Sequence, residues 1–135
     1  MKLVQFAAVS AVALLIGVGA GSAQMAKPTD TKGFTRDVLT SYDLGKQGLT
    51  DYASRQYQIQ KLTLAPGGVI AYHSHTDRPG GAYVIKGQFV EHRDGAPDRV
   101  LKVGDVLTET TDVKHWVENR GKTDAVAIGV YLVKP

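Results

Sequence analysis

Two of the four histidines in this chain stand two residues apart, at His73 and His75. On a β-strand, side chains two apart share a face, so the pair aims two imidazoles into one space about as wide as a metal site. Two imidazoles alone make a weak site. A third has to come from His92 or His115, the remaining histidines. Imidazole nitrogens suit divalent transition ions, iron, nickel, copper and zinc among them.

The elements that must position these residues read as short strands. Arg55 to Leu64 alternates apolar and polar residues, with a slip in phase near Lys61 of the kind a bulge would produce. Pro66-Gly67-Gly68 reads as a turn, followed by a strand from Val69 to His75 and a loop from Thr76 to Gly80. Further strands are expected over Ala82 to Ile85, Gln88 to Arg93, Val100 to Val103, Val106 to Thr108, His115 to Glu118 and Ala125 to Val133. Gly33 to Leu44 is irregular, with room for one short strand, and Gly45 to Ala53 reads as a polar loop. No segment after the N-terminal apolar run keeps a helical period beyond two turns. Many short strands spaced near ten residues predict one all-β sandwich or barrel domain.

Of 135 residues, 43% are hydrophobic and 21% charged, an ordinary globular balance with room for one domain. Lys2, an apolar run and the small residues Gly21 and Ala23 read as a secretory signal over residues 1–23. The alternative is a membrane anchor, since the run approaches the shortest spanning length. Residues 24–32 read as a flexible leader and 33–135 as the domain, working in the periplasm or outside the cell. The net charge is +3, mixed in sign along the chain, without a basic block interleaved with aromatics, which argues against nucleic acid as a partner. After signal cleavage no membrane partner is expected. With no cysteine, the domain must be held by its core, an oligomer interface or a metal.

The chain resembles a single-domain cupin. The family's first motif is matched by Gly67, His73-Ser74-His75, Gly80 and Gly87, and its second by Gly104, Thr110-Thr111-Asp112, His115 and Asn119. The spacing fits throughout, and the motifs span residues 67–119. Three residues depart: Gly80 stands for a glutamate, Thr110 for a proline and Asp112 for a glycine. The resemblance implies a double-stranded β-helix, the cupin-type jelly roll, and a homodimer paired through an outer sheet. It also implies metal ligands at His73, His75 and His115, with the carboxylate ligand missing at Gly80. Three neutral nitrogens would leave the ion's double charge uncompensated and favour anionic or chelating ligands in its open positions. Some cupin-fold thiol and diketone dioxygenases are similar in using three histidines without a carboxylate, which makes Fe(II) the first expectation, with Zn, Mn or Ni as alternatives.

Glu91 shares a face with Phe89 that in cupins looks into the barrel. It is the candidate catalytic residue, as fourth ligand, general base or orienter of a histidine, with a salt bridge to Arg93 or Arg78 as the alternative. Arg78 is a candidate to clamp a substrate carboxylate, or else to pin its loop. Tyr72, Tyr83 and Trp116 flank motif positions; Tyr83 is the candidate for substrate contact, and packing is the alternative role. His92 falls off the alternation of Phe89 and Glu91 and is expected to point outward. Glu109 and Asp112 read as solvated turn residues. The functional reading is a metal-binding protein acting on or binding a small anionic molecule, as a dioxygenase or an isomerase or lyase. A non-catalytic binding module and a metal-free interaction domain remain as alternatives.

Overall fold

A computed structural model describes residues 25–135. The segment 1–23, expected as an export signal, lies outside them. The described residues form eight strands: β1 (Lys32–Asp43), β2 (Gln56–Ser74), β3 (Gly80–Lys86), β4 (Gln88–Arg93), β5 (Arg99–Lys102), β6 (Val106–Glu109), β7 (Lys114–Glu118) and β8 (Ala125–Val133). Two 3-10 turns, Gly45–Gln47 and Thr50–Tyr52, fill the β1–β2 connection. All pairings are antiparallel, in the order β5-β4-β7-β2-β8-β3-β6 with β1 added against β2. The result is a nearly closed jelly-roll barrel.

β2 joins the two halves of this barrel. Its first part, Gln56 to Leu64, pairs with β1 on one side and β8 on the other, while Val69 to Ser74 pairs with β7. Pro66-Gly67-Gly68, expected to end a strand, lies inside β2, at the point where the strand changes partners. The two motifs meet there. Gly67, at φ +71°, donates its N–H to the Asn119 carbonyl, and the Asn119 N–H returns to the Gly68 carbonyl. The Asn119 amide donates to the Leu64 and Thr123 carbonyls, so the last residue of the second motif closes the loops that carry the first. This role is structural.

The inner face of β2 runs Gln60, Leu62, Leu64, with Tyr57 and Ile59 on the other face. The phase slip near Lys61 is therefore no bulge in β2, whose register with β8 is continuous from Gln56 to Leu64. A buried glutamine takes an inward position, and the extra residue lies across on β1, at Leu39 between Val38↔Gln60 and Thr40↔Ile59. The core is built from Leu62, Leu64, Val84, Phe89, Leu107, Val117 and neighbours, all buried, from both halves of the barrel.

β1 is longer than its irregular sequence suggested because it is an added strand. It can show solvent polar residues on most positions and still satisfy its backbone along β2. Residues 25–31, expected as a flexible leader, lie along β2. Pro28 accepts the Tyr72 N–H, Thr31 Oγ1 accepts the Ala71 N–H, and Lys27 pairs with Asp94 at 2.7 Å.

Candidate metal centre

His73 and His115 are register partners across β2 and β7, and His75 follows just past the end of β2. The three rings converge. Their Nε2 atoms form a nearly equilateral triangle with edges of 3.0, 3.0 and 3.1 Å. Each Nδ1 is held from behind: His73 by the Ala71 carbonyl at 2.7 Å, His75 by the Arg78 carbonyl at 3.2 Å and His115 by Glu91 at 2.7 Å. Since those partners only accept, each Nδ1 carries the proton and each Nε2 presents a lone pair. Three lone pairs then face one another with no hydrogen between them, an arrangement that a cation satisfies and a neutral cavity does not.

The spacing fits an ion as well. Two nitrogens bound about 2.0–2.1 Å from one ion lie about 2.8–3.0 Å apart at right angles and about 3.4 Å apart at the tetrahedral angle. The observed edges match the smaller value, that of three ligands on one face with further positions open. Burial holds the His73 imidazole below its ordinary range and brings His75 to about 4, so both are neutral and ready to ligate at pH 7.

Glu91 is completely buried behind His115 and is not part of the cavity wall. Its Oε1 meets His115 Nδ1, on the side of the ring away from the Nε2 triangle, the position of a residue that orients the imidazole. Burial alone would raise its carboxyl, but hydrogen bonds from His115 and Arg93 outweigh that and hold it at about 2. Arg99, its register partner, adds an ion pair at 3.3 Å.

The histidines open into a cavity of 470 Å³ walled by Arg36, Arg78, Leu62, Phe89, Glu109 and Tyr131, among others. Arg78 lies over the Tyr131 ring, 4.7 Å from its centroid, and its Nε has no hydrogen-bond partner. Arg36 joins it from β1, a strand whose pattern gave no hint of a site. Tyr83 does not reach this cavity. It alternates with buried Ala82 and Val84 and stands half-exposed on the outer face of β3, so a contact with ligand at the metal is corrected. His92 is on the outer side, as expected, yet buried there: it stacks on Trp116 at 3.6 Å and bonds Asp98 and Glu118 at 2.7 and 2.8 Å.

Glu109 overturns its reading as a solvated residue. It is 4% exposed, with Oε1 3.5 Å from Nε2 of both His75 and His115 and Oε2 without a hydrogen-bond partner. Burial pushes its carboxyl up. Burial likewise pushes the Tyr131 phenol up, and the adjacent Glu109 charge adds to the effect. Asp112 is exposed as expected, and its carboxylate accepts the Thr110 hydroxyl at 2.5 Å. That side-chain bond braces the turn where the motif's proline and glycine would stand.

Comparison with known families matches a cupin domain over residues 60–131, more than half of the chain. The chain belongs to the cupin family. This cupin is 30% identical over 105 residues to the oxalate-binding protein of Thermotoga maritima, covering 78% of this chain and 84% of that protein. Among solved structures it is similar to a predicted oxalate decarboxylase of Thermotoga maritima, with a TM-score of 0.59 and 23% identity over 74% of this chain and 80% of that one. It is also similar to KdgF of a Halomonas species, with a TM-score of 0.60 and 17% identity over 78% and 89% of the two chains. At those identities the structural likenesses speak for the fold.

Proposed function

We propose that this cupin binds a small carboxylate at a divalent metal centre held by His73, His75 and His115, with Arg36 and Arg78 supplying the cationic wall. The observation that carries the reading is the triangle of Nε2 lone pairs opening into the same cavity as two arginines. A guanidinium offers paired N–H donors in the geometry of a carboxylate, and Arg78 has an Nε–H free for one. The relative named as an oxalate-binding protein supports a small dicarboxylate as the first probe. When bound, the ion supplies Lewis acidity at this centre, and with iron(II) the capacity for dioxygenation.

Protein action is confined to binding and orientation. The apolar floor formed by Leu62, Phe89, Leu107 and Val117 limits water around the ligand, while the two arginines fix its charged end. The basic, apolar and small-residue order of residues 1–23 supports export, and with it binding outside the cytoplasm, as part of this reading. A homodimer belongs to the same reading: half-exposed Tyr83 and Ile85 on β3 and Val106 on β6 give the outer sheet an apolar patch. Sedimentation showing only monomer at micromolar concentration would contradict the dimer.

Calorimetry with oxalate tests the ligand. Binding is expected to require prior metal loading and to weaken about 10- to 100-fold in Arg78→Ala, the loss of one charge-assisted contact. Equal binding by the metal-free protein would refute the centre's role in it. A loaded protein that ignores oxalate and other small carboxylates would refute the ligand class.

A further inference from the structure

We infer that Glu109 is the carboxylate ligand of this metal centre, relocated from the motif position on β3 to the neighbouring strand β6. The inference rests on the three-histidine centre proposed above. Gly80, where the motif glutamate is missing, is the register partner of Glu109 on β6 and of Tyr131 on β8. Residues in register on adjacent strands present their side chains on one face at one level. Glu109 therefore enters the barrel at the height from which the motif residue would have reached the ion, displaced sideways by one strand.

The same level explains why the carboxylate cannot be at position 80. A Cβ there would lie 2.2 Å from the Val130 carbonyl oxygen and 2.4 Å from Cδ1 of Tyr131, far inside van der Waals contact. The Tyr131 ring occupies the space, and that ring is 2% exposed and covers His75 at 6.2 Å between centroids. Gly80 is not a vacancy beside the metal. It is the gap into which Tyr131 packs, and Glu109 is brought in from the other side.

The Tyr131 phenol meets the Glu109 carboxylate on one side, and among the described residues no cation pairs with it within ion-pair distance apart from the two imidazoles. The carboxylate is buried, Oε2 is without a hydrogen-bond partner, and Oε1 faces two imidazole lone pairs at 3.5 Å. A buried carboxylate with one oxygen unpartnered and the other facing acceptors is a costly arrangement. Ligands of one ion about 2.1 Å from it lie about 3.0–3.6 Å apart for angles between right and trigonal, which includes 3.5 Å. A single ion shared by the three histidines therefore resolves both conflicts at once. It also lowers the ion's net charge to that of one positive unit, leaving the arginines as the main attraction for an anionic ligand.

Titrating Co(II) alone into the full-chain protein, wild type beside Glu109→Gln and Glu109→Asp, tests this. The glutamine variant keeps size and should keep the apo fold, checked by its melting curve. It is expected to bind Co(II) at least about tenfold more weakly and to change the visible ligand-field spectrum. The aspartate variant, still anionic, should lie between the two in affinity. Unchanged affinity with a superimposable spectrum in Glu109→Gln would overturn the Glu109 assignment and leave the three-histidine centre standing. A wild-type protein that takes up no Co(II) would overturn both.

Discussion

Glu91 and His115 lie diagonally across β4 and β7 and share a 2.7 Å hydrogen bond in which the imidazole Nδ1–H donates to the carboxylate. Both side chains are fully buried. The bond sets the tautomer that turns the Nε2 lone pair toward His73 and His75. Glu91→Gln should therefore weaken metal binding about 10- to 100-fold, as loss of such orienting partners does. Glu91→Ala should also destabilise the fold by about 3 kcal/mol, because Arg93 loses its buried partner. Metal titration and denaturant melts of the two variants check this; an unaltered affinity in both would remove Glu91 from the centre.

The two kinds of histidine should separate cleanly. His73→Ala and His115→Ala each remove one corner of the triangle and should abolish tight uptake of a divalent ion. His92→Ala should leave uptake unchanged while lowering stability by about 1–3 kcal/mol, since it breaks two bonds to carboxylates and the stack on Trp116. Loss of metal in His92→Ala would contradict the assignment of ligands.

Restoring the motif glutamate should fail. Gly80→Glu, and even Gly80→Ala, places a Cβ against the Val130 carbonyl and the Tyr131 ring. A cost of about 2 kcal/mol or more is expected from such overpacking, with no gain in metal affinity. Denaturant midpoints measure the first and titration the second. A stable Gly80→Glu protein that binds metal more tightly would show that the space beside the histidines is open after all.

The metal-free protein should weaken in mild acid. Burial holds His75 at about 4 against an ordinary 6.5. As pH falls below 6.5 the unfolded chain takes up a proton that the folded chain refuses until about 4, so stability is lost across that window. One such group accounts for on the order of 3 kcal/mol. Glu91 acts with the same sign lower down: held at about 2 against an ordinary 4.5, its contribution is present above 4.5 and lost as pH falls toward 2. Denaturant melts in a chelator across these windows should show a falling midpoint. A midpoint that stays flat from about pH 7 to pH 4 would contradict the burial of His75.

Strands β4 and β8 have the boundaries that their sequence pattern suggests, and the three histidines meet, because alternation and fixed spacing are local properties. What was not legible depends on pairing. Pro66-Gly67-Gly68 reads as a terminator, yet the long-range partners β1, β8 and β7 carry β2 through it. Gln60 breaks the apolar alternation because an inward site of this barrel accepts a polar side chain. Glu109 precedes the polar run Thr110-Thr111-Asp112 and so resembles a turn residue. Only its register with Gly80 places it at the centre, and register across 29 positions of sequence leaves no local mark. Arg36 was missed for the same reason, being one exposed residue on a mostly exposed strand, though it lines the cavity.

The most direct measurement is the metal content of the purified protein, beside His75→Ala. One equivalent of a divalent transition ion in the wild type, absent from His75→Ala, is the expected result. No metal in the wild type and no uptake on titration with iron(II), zinc, manganese or nickel would contradict the three-histidine centre.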